Sequence, residues 1–200
     1  MSNVTSQLNL ANIITIIRIL LVPVFLVVLL SGLPEPYADI GAAIVFAVAA
    51  ASDKLDGYIA RKQHSITALG QFLDPLADKL LIAAALIALV AQGRVPAWVA
   101  MVIIGREIAV TVLRSVGQSQ GISIPADRWG KLKTVLQIVY IMYVLLPTVA
   151  IAELLHLPVS WEPIVQWILA ILVVIVTLIS GVNYFRNARG LVRMPGSPPK

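Results

Sequence analysis

The chain has no cysteine, only two histidines and few charges for its 200 residues. Without cysteine there can be no disulfide framework, thiolate zinc site or cysteine nucleophile, and the redox compartment stays open. Charged residues make up 12% and hydrophobic residues 59%, where a soluble domain carries roughly 25% and 45–50%. A globule with so little charge would expose apolar patches large enough to aggregate, which excludes a soluble enzyme. Aromatic residues amount to 6%, and no basic run interleaved with them offers a stacking platform for bases, so nucleic-acid binding is set aside. The first ten residues contain neither Lys nor Arg. They lack the basic start of a cleaved signal peptide, and the first apolar segment is expected to remain attached.

What is abundant is apolar length. Mean hydropathy is +0.91, and a membrane-crossing helix needs about 20 apolar residues. Six such stretches are expected, at Leu10–Leu30, Ala38–Ala60, Thr67–Ala91, Trp98–Val116, Leu132–Ala152 and Pro163–Tyr184. The connections between them are short and rich in Gly and Pro, as in Ser31–Pro36 and Gln92–Pro96, a composition that punctuates helices. The expected fold class is therefore an all-α integral membrane protein of six transmembrane helices. Its membrane domain would span residues 1–193, with 194–200 as a disordered tail. The net charge of +5 is consistent with this topology. Arg61, Lys62, Arg114, Arg128, Lys131, Lys133, Arg186, Arg189, Arg193 and Lys200 fall on one side, and Arg94 alone on the other. The positive-inside rule then makes both termini cytoplasmic. Trp98, Trp129 and Trp161 lie near span ends, where an indole suits the membrane interface.

Ionisable residues remain within the spans: Arg18, Asp53, Lys54, Asp56, Asp74, Asp78, Lys79, Arg106 and Glu107. Four uncompensated Asp at ~2.5–3.5 kcal/mol each would cost on the order of 10 kcal/mol, comparable to a domain's whole stability. At about 100° per residue, Asp53, Asp56, Gly57 and Ala60 share one helical face, and Gly70, Asp74, Ala77 and Asp78 share another. Lys79 points well away. Both faces are otherwise small, so two helices, or a helix and a bulky ligand, can approach closely. If the faces meet, four carboxylates converge and need a cation between them. Oxygen-only donors favour Mg²⁺ or Mn²⁺, with Ca²⁺ possible, and magnesium commonly bridges carboxylates to substrate phosphates. Blander readings exist. Asp74-Pro75 has the form of an N-cap followed by proline at the first helical position, starting the third span at residue 75. Asp53, Asp56 and Asp78 could instead pair with Arg61, Arg18 or Arg106. Lys54 and Lys79 read as snorkelling side chains, and His64 and His156 as incidental.

The run Asp53, Asp56-Gly57, Ala60-Arg61, Gly70, Asp74, Asp78 specifies eight positions over 26 residues. It resembles the complete signature of the CDP-alcohol phosphotransferases. Weaker matches to one branch, the bacterial phosphatidylglycerophosphate synthases, extend the likeness across most of the chain. They are Asn12, Thr15 and Arg18, then Arg106-Glu107 and Arg114, then Gly130–Thr134. The resemblance implies a six-helix membrane enzyme, usually homodimeric, that moves a phosphatidyl group from CDP-diacylglycerol to an alcohol and releases CMP. It further implies that Asp53, Asp56, Asp74 and Asp78 hold a divalent metal, Mg²⁺ or Mn²⁺, and that Asp78 is the catalytic base. Asn12, Thr15, Gly57, Ala60, Arg61, Thr67 and Gly70 fall where the family contacts the CDP moiety. Gly57 has no side chain to obstruct the nucleotide, and Arg61 can meet phosphate bidentately.

An acceptor carrying its own phosphate needs further cations, and Arg106, Arg114, Lys131 and Lys133 are available on the cytoplasmic side. Glycerol 3-phosphate fits that provision, and the expected product is phosphatidylglycerol phosphate. The competing acceptors are inositol phosphate and phosphatidylglycerol. Arg114, Lys131 and Lys133 could equally be topology signals or headgroup contacts. A competitor of another class is a divalent-cation transporter, because intramembrane acids also mark ion pathways. The Gly57, Arg61 and Gly70 framework suits a phosphate ligand better than a permeating ion.

Overall fold

The computed structural model describes residues 10–34, 36–63, 68–119, 128–148, 152, 158 and 161–192. Among them are six long helices and no strand: α1 (Leu10–Leu29), α2 (Tyr37–Gln63), α3 (Ala68–Ala91), α4 (Ala97–Ser119), α5 (Arg128–Leu145) and α6 (Glu162–Val192). Their order and centres match the six apolar stretches, but their ends do not. The last helix runs beyond Tyr184 to Val192, and α5 begins at Arg128 rather than Leu132. Hydropathy marks where lipid contact is tolerable, whereas a helix continues for as long as its backbone hydrogen bonds do. By length and composition one helix among the described residues, Glu162–Ala188, is apolar enough to cross a membrane, with a mean hydropathy of 2.6 over its apolar window. Ile13–Leu29, Tyr37–Ser52 and Lys79–Ala91 are shorter apolar segments.

The helices are inside-out by the standards of a soluble bundle. Thr15, Arg18, Lys133, Gln137, Thr177 and Ser180 are buried, while Leu20, Val27, Ile44, Ile87, Met101 and Ile168 stand exposed on helix surfaces. Water would favour the reverse arrangement; a hydrocarbon solvent favours this one.

The chain divides into two compact units, residues 1–95 with 141–162, and residues 96–140 with 163–200. In the first, α1 packs on α2 and α3, and α2 packs on α3. Its close-packed core includes Phe25 and Phe46, whose ring centroids lie 5.9 Å apart. One end of the unit is tied by polar contacts. Arg94 Nη1 donates to Asp39 Oδ1 at 2.6 Å, and its Nη2 donates to the Val144 carbonyl. Gln92 Nε2 reaches the Leu29 carbonyl at 3.2 Å, and the Tyr143 hydroxyl donates to the Glu162 carbonyl at 3.1 Å. The ends of α1, α3 and α5 therefore lie with the starts of α2 and α6, as up-and-down helices require. Glycine makes the stop after α3 possible. Gly93 has a φ of +72°, its N–H bonds the Val90 carbonyl, and the Arg94 N–H bonds the Leu89 carbonyl, which is a Schellman closure.

In the second unit, Arg106 Nη2 donates to Ser180 Oγ at 2.6 Å and Arg114 Nε donates to the Tyr184 hydroxyl at 3.3 Å. Both pairs advance along α4 and α6 together, so these helices run parallel. Gly181 permits their approach, since a Cβ there would stand 3.3 Å from Arg106 Cγ.

Candidate active site

The signature lies on two unbroken stretches of helix, because α2 continues to Gln63 and α3 begins at Ala68. Asp74 is therefore seven residues into α3 and does not cap it, and Pro75 lies inside the helix. The N-cap reading of Asp74 is excluded by this geometry, since an N-cap must precede the first turn. Helical register carries the acidic pairs onto buried stripes. On α2, Ala42, Phe46 and Ala49 are fully buried, and steps of three or four residues lead from them to positions 53, 56 and 60. On α3, Ala77, Leu81 and Ala85 are buried, and positions 70, 74 and 78 continue the same stripe.

A third helix contributes a cation beside this stripe. Arg18 on α1 is fully buried, and its Nε donates to Ser52 Oγ at 3.4 Å, one residue before Asp53. Thr15, one turn earlier on α1, is buried as well. The side chains of Asn12, Asp53, Asp56, Ala60, Arg61, Asp74 and Asp78, and the surroundings of Gly57 and Gly70, lie outside the described residues; Thr67 lies outside them entirely. Among the described residues no three His, Cys, Asp or Glu side chains cluster as metal ligands do. The donor set on the two stripes is four carboxylates spaced i,i+3 and i,i+4, and this all-oxygen chemistry fits a hard divalent cation such as Mg²⁺.

The second unit gathers the remaining polar residues. Lys133 Nζ and Arg106 Nη1 both meet Glu107 Oε1, the latter at 3.3 Å. All three side chains are largely buried, at 7%, 11% and 17% exposure. One carboxylate between two cations leaves a net positive centre, which a phosphate would complement. Arg114 lies against Tyr184, its guanidinium carbon 5.7 Å from the ring centroid. Of the four expected acceptor cations, the structure joins Arg106 and Lys133 through Glu107. Lys131 is exposed, two residues and so about 200° around α5 from Lys133. Ser180 and Tyr184 are partners that the sequence reading did not single out. With Thr177 they form an i, i+3, i+7 polar series in an otherwise apolar helix, and that series was the available signal.

Similarity to known proteins decides the family. The model of the CDP-alcohol phosphatidyltransferase family matches residues 8–180. The chain belongs to that family. A *Bacillus subtilis* (strain 168) relative, "CDP-diacylglycerol--glycerol-3-phosphate 3-phosphatidyltransferase", is 42% identical over 187 residues, covering 88% of this chain and 93% of its own. A *Mycobacterium tuberculosis* protein, "Probable phosphatidylglycerophosphate synthase", is 42% identical over 181 residues, covering 90% of this chain and 81% of its own. A *Rickettsia typhi* relative with the same name as the *Bacillus* protein is 35% identical over 181 residues, covering 90% and 97%. This CDP-alcohol phosphatidyltransferase is thus an all-helical, membrane-associated enzyme of the transferase class, as the residues from Asp53 to Asp78 had indicated.

Proposed function

We propose that the protein transfers the phosphatidyl group of CDP-diacylglycerol to sn-glycerol 3-phosphate, giving phosphatidylglycerol phosphate and CMP. The observation that carries this is the eight-position acidic signature on the buried stripes of α2 and α3, in a chain whose relatives bear the names of that reaction.

Asp53, Asp56, Asp74 and Asp78 would hold Mg²⁺ or Mn²⁺. When bound, the cation supplies charge neutralisation of the diphosphate and a better CMP leaving group. The chain's own residues do the rest. Asp78 takes the proton from the acceptor hydroxyl as its oxygen bonds to the phosphorus bearing diacylglycerol and the bond from that phosphorus to CMP breaks. Arg61 meets the diphosphate bidentately, and Gly57 and Gly70 let the nucleotide lie against the helix backbone. Asn12, Thr15, Ala60 and Thr67 complete the CDP contacts. Arg106 and Lys133, with Arg114 and Lys131 as further cations, receive the acceptor's phosphate. Six spans, cytoplasmic termini, a cytoplasm-facing site and a homodimer complete the reading; the inside-out burial and the lone Arg94 at the opposite end support its topology.

The test is a panel of acceptors offered to one detergent preparation with nucleotide-labelled CDP-diacylglycerol. CMP release with glycerol 3-phosphate, dependent on divalent metal, is the expected result. Inert glycerol 3-phosphate beside reactive inositol phosphate or phosphatidylglycerol would overturn the acceptor. Metal flux into sealed vesicles without CMP would overturn the reaction class.

A further inference from the structure

Four buried polar atoms of the second unit have no hydrogen-bond partner: Arg106 Nε, Gln137 Nε2, the Tyr140 hydroxyl and Thr177 Oγ1. Their residues other than Arg106 are at most 2% exposed. Native interiors leave few such groups unsatisfied, and each one calls for a missing partner. A cluster in a single helical unit is harder to explain by chance than one isolated atom.

Register brings the orphans toward one level. Lys133, Gln137 and Tyr140 follow one another at i, i+4, i+7 on α5, all on its buried face. Thr177 lies one turn before Ser180 on α6, and Ser180 is the residue to which Arg106 donates. α5 ends where α6 begins, through the Tyr143 bond to Glu162, so the two helices run antiparallel. Moving from Lys133 to Tyr140 on α5 and from Ser180 to Thr177 on α6 is therefore movement in the same direction. The polar surface extends about two turns beyond the Arg106–Glu107–Lys133 centre, on the order of 10 Å.

The chemistry of the three neutral orphans is specific. An amide N–H can only donate, and two hydroxyls can each donate or accept. An alcohol accepts two hydrogen bonds and donates one, which these three groups together supply. The fourth orphan is a guanidinium N–H, a donor suited to an anion.

We infer that Gln137, Tyr140 and Thr177 form a hydroxyl-reading floor beneath the phosphate-binding cations, a subsite for the non-reacting hydroxyl of a polyol phosphate. This rests on the proposed acceptor reaction and adds specificity-determining residues to it. A ligand hydroxyl satisfies all three groups; an acceptor lacking it leaves them buried and unpaired, and a site built on hydrogen bonds rejects such an analogue strongly.

The experiment compares glycerol 3-phosphate with 2-hydroxyethyl phosphate, which has the phosphate and the reacting hydroxyl but no second hydroxyl. Wild-type protein and the near-isosteric variants Tyr140→Phe, Thr177→Val and Gln137→Leu are assayed in nanodiscs for CMP release. The wild type should prefer glycerol 3-phosphate, and each variant should lower the ratio of kcat/KM for the two acceptors at least fivefold. The KM for CDP-diacylglycerol should stay within twofold. The thermal midpoint without acceptor should hold or rise, because each substitution removes an unsatisfied buried group. An unchanged acceptor ratio in all three variants overturns the inference, as does an equal loss for both acceptors with a lowered midpoint, the mark of a structural role. A wild type inert toward glycerol 3-phosphate would instead refute the proposed function, and the wild-type lane shows this before any variant is read.

Discussion

Glu107 holds two buried cations, and its removal should be felt out of proportion to its size. Glu107→Gln keeps the volume and one hydrogen bond but withdraws the negative charge facing Lys133 and Arg106. Breaking a buried pair by removing one partner costs about 3–5 kcal/mol, because the other charge stays buried and uncompensated. These side chains keep 7–17% of their surface exposed, so some water reaches them, and about 2–4 kcal/mol is the appropriate expectation. Lys133→Met removes a cation and leaves Glu107 still paired with Arg106, so its cost should be nearer 1–2 kcal/mol, about that of a lost charge-assisted hydrogen bond. The double variant should cost less than Glu107→Gln alone, since it removes one of the stranded charges. Reversible unfolding from mixed micelles by added SDS measures all three, and the double-mutant cycle isolates the coupling. Equal single effects that add within about 0.5 kcal/mol would refute the shared-carboxylate arrangement.

Three further outcomes are expected. Asp78→Asn should lower CMP release at least a hundredfold, with normal expression and solubility; chelation of divalent cations should abolish release in the wild type, and added Mg²⁺ should restore it. Gly93→Ala should destabilise by about 1–2 kcal/mol in the same SDS titration, because a side chain is forced into the left-handed region; a neutral result would argue against the Schellman closure after α3. Because the chain contains no cysteine, Ser31→Cys and Asn187→Cys, both at exposed positions, can be labelled without background. In intact cells an impermeant maleimide should reach position 31 and not 187, and the reverse pattern would invert the topology.

The sequence by itself determined the solvent and the chemistry. Charge scarcity excluded water as the surroundings of the helix surfaces, and the spacing from Asp53 to Asp78 declared two acidic helical faces, because i,i+3 and i,i+4 relations are local and survive any packing. Tertiary structure decided everything that joins distant residues. Spacing alone left Asp74 either a cap or a ligand position, and only the start of α3 at Ala68 removed the cap. Arg94 meets Asp39 from 55 residues away, Lys133 meets Glu107 from 26, and Arg106 meets Ser180 from 74. Each of these polar residues had several possible partners along the chain. Partnership depends on which helix faces meet, and that is settled by close packing of apolar stripes whose individual members are nearly interchangeable, so no local pattern could announce it.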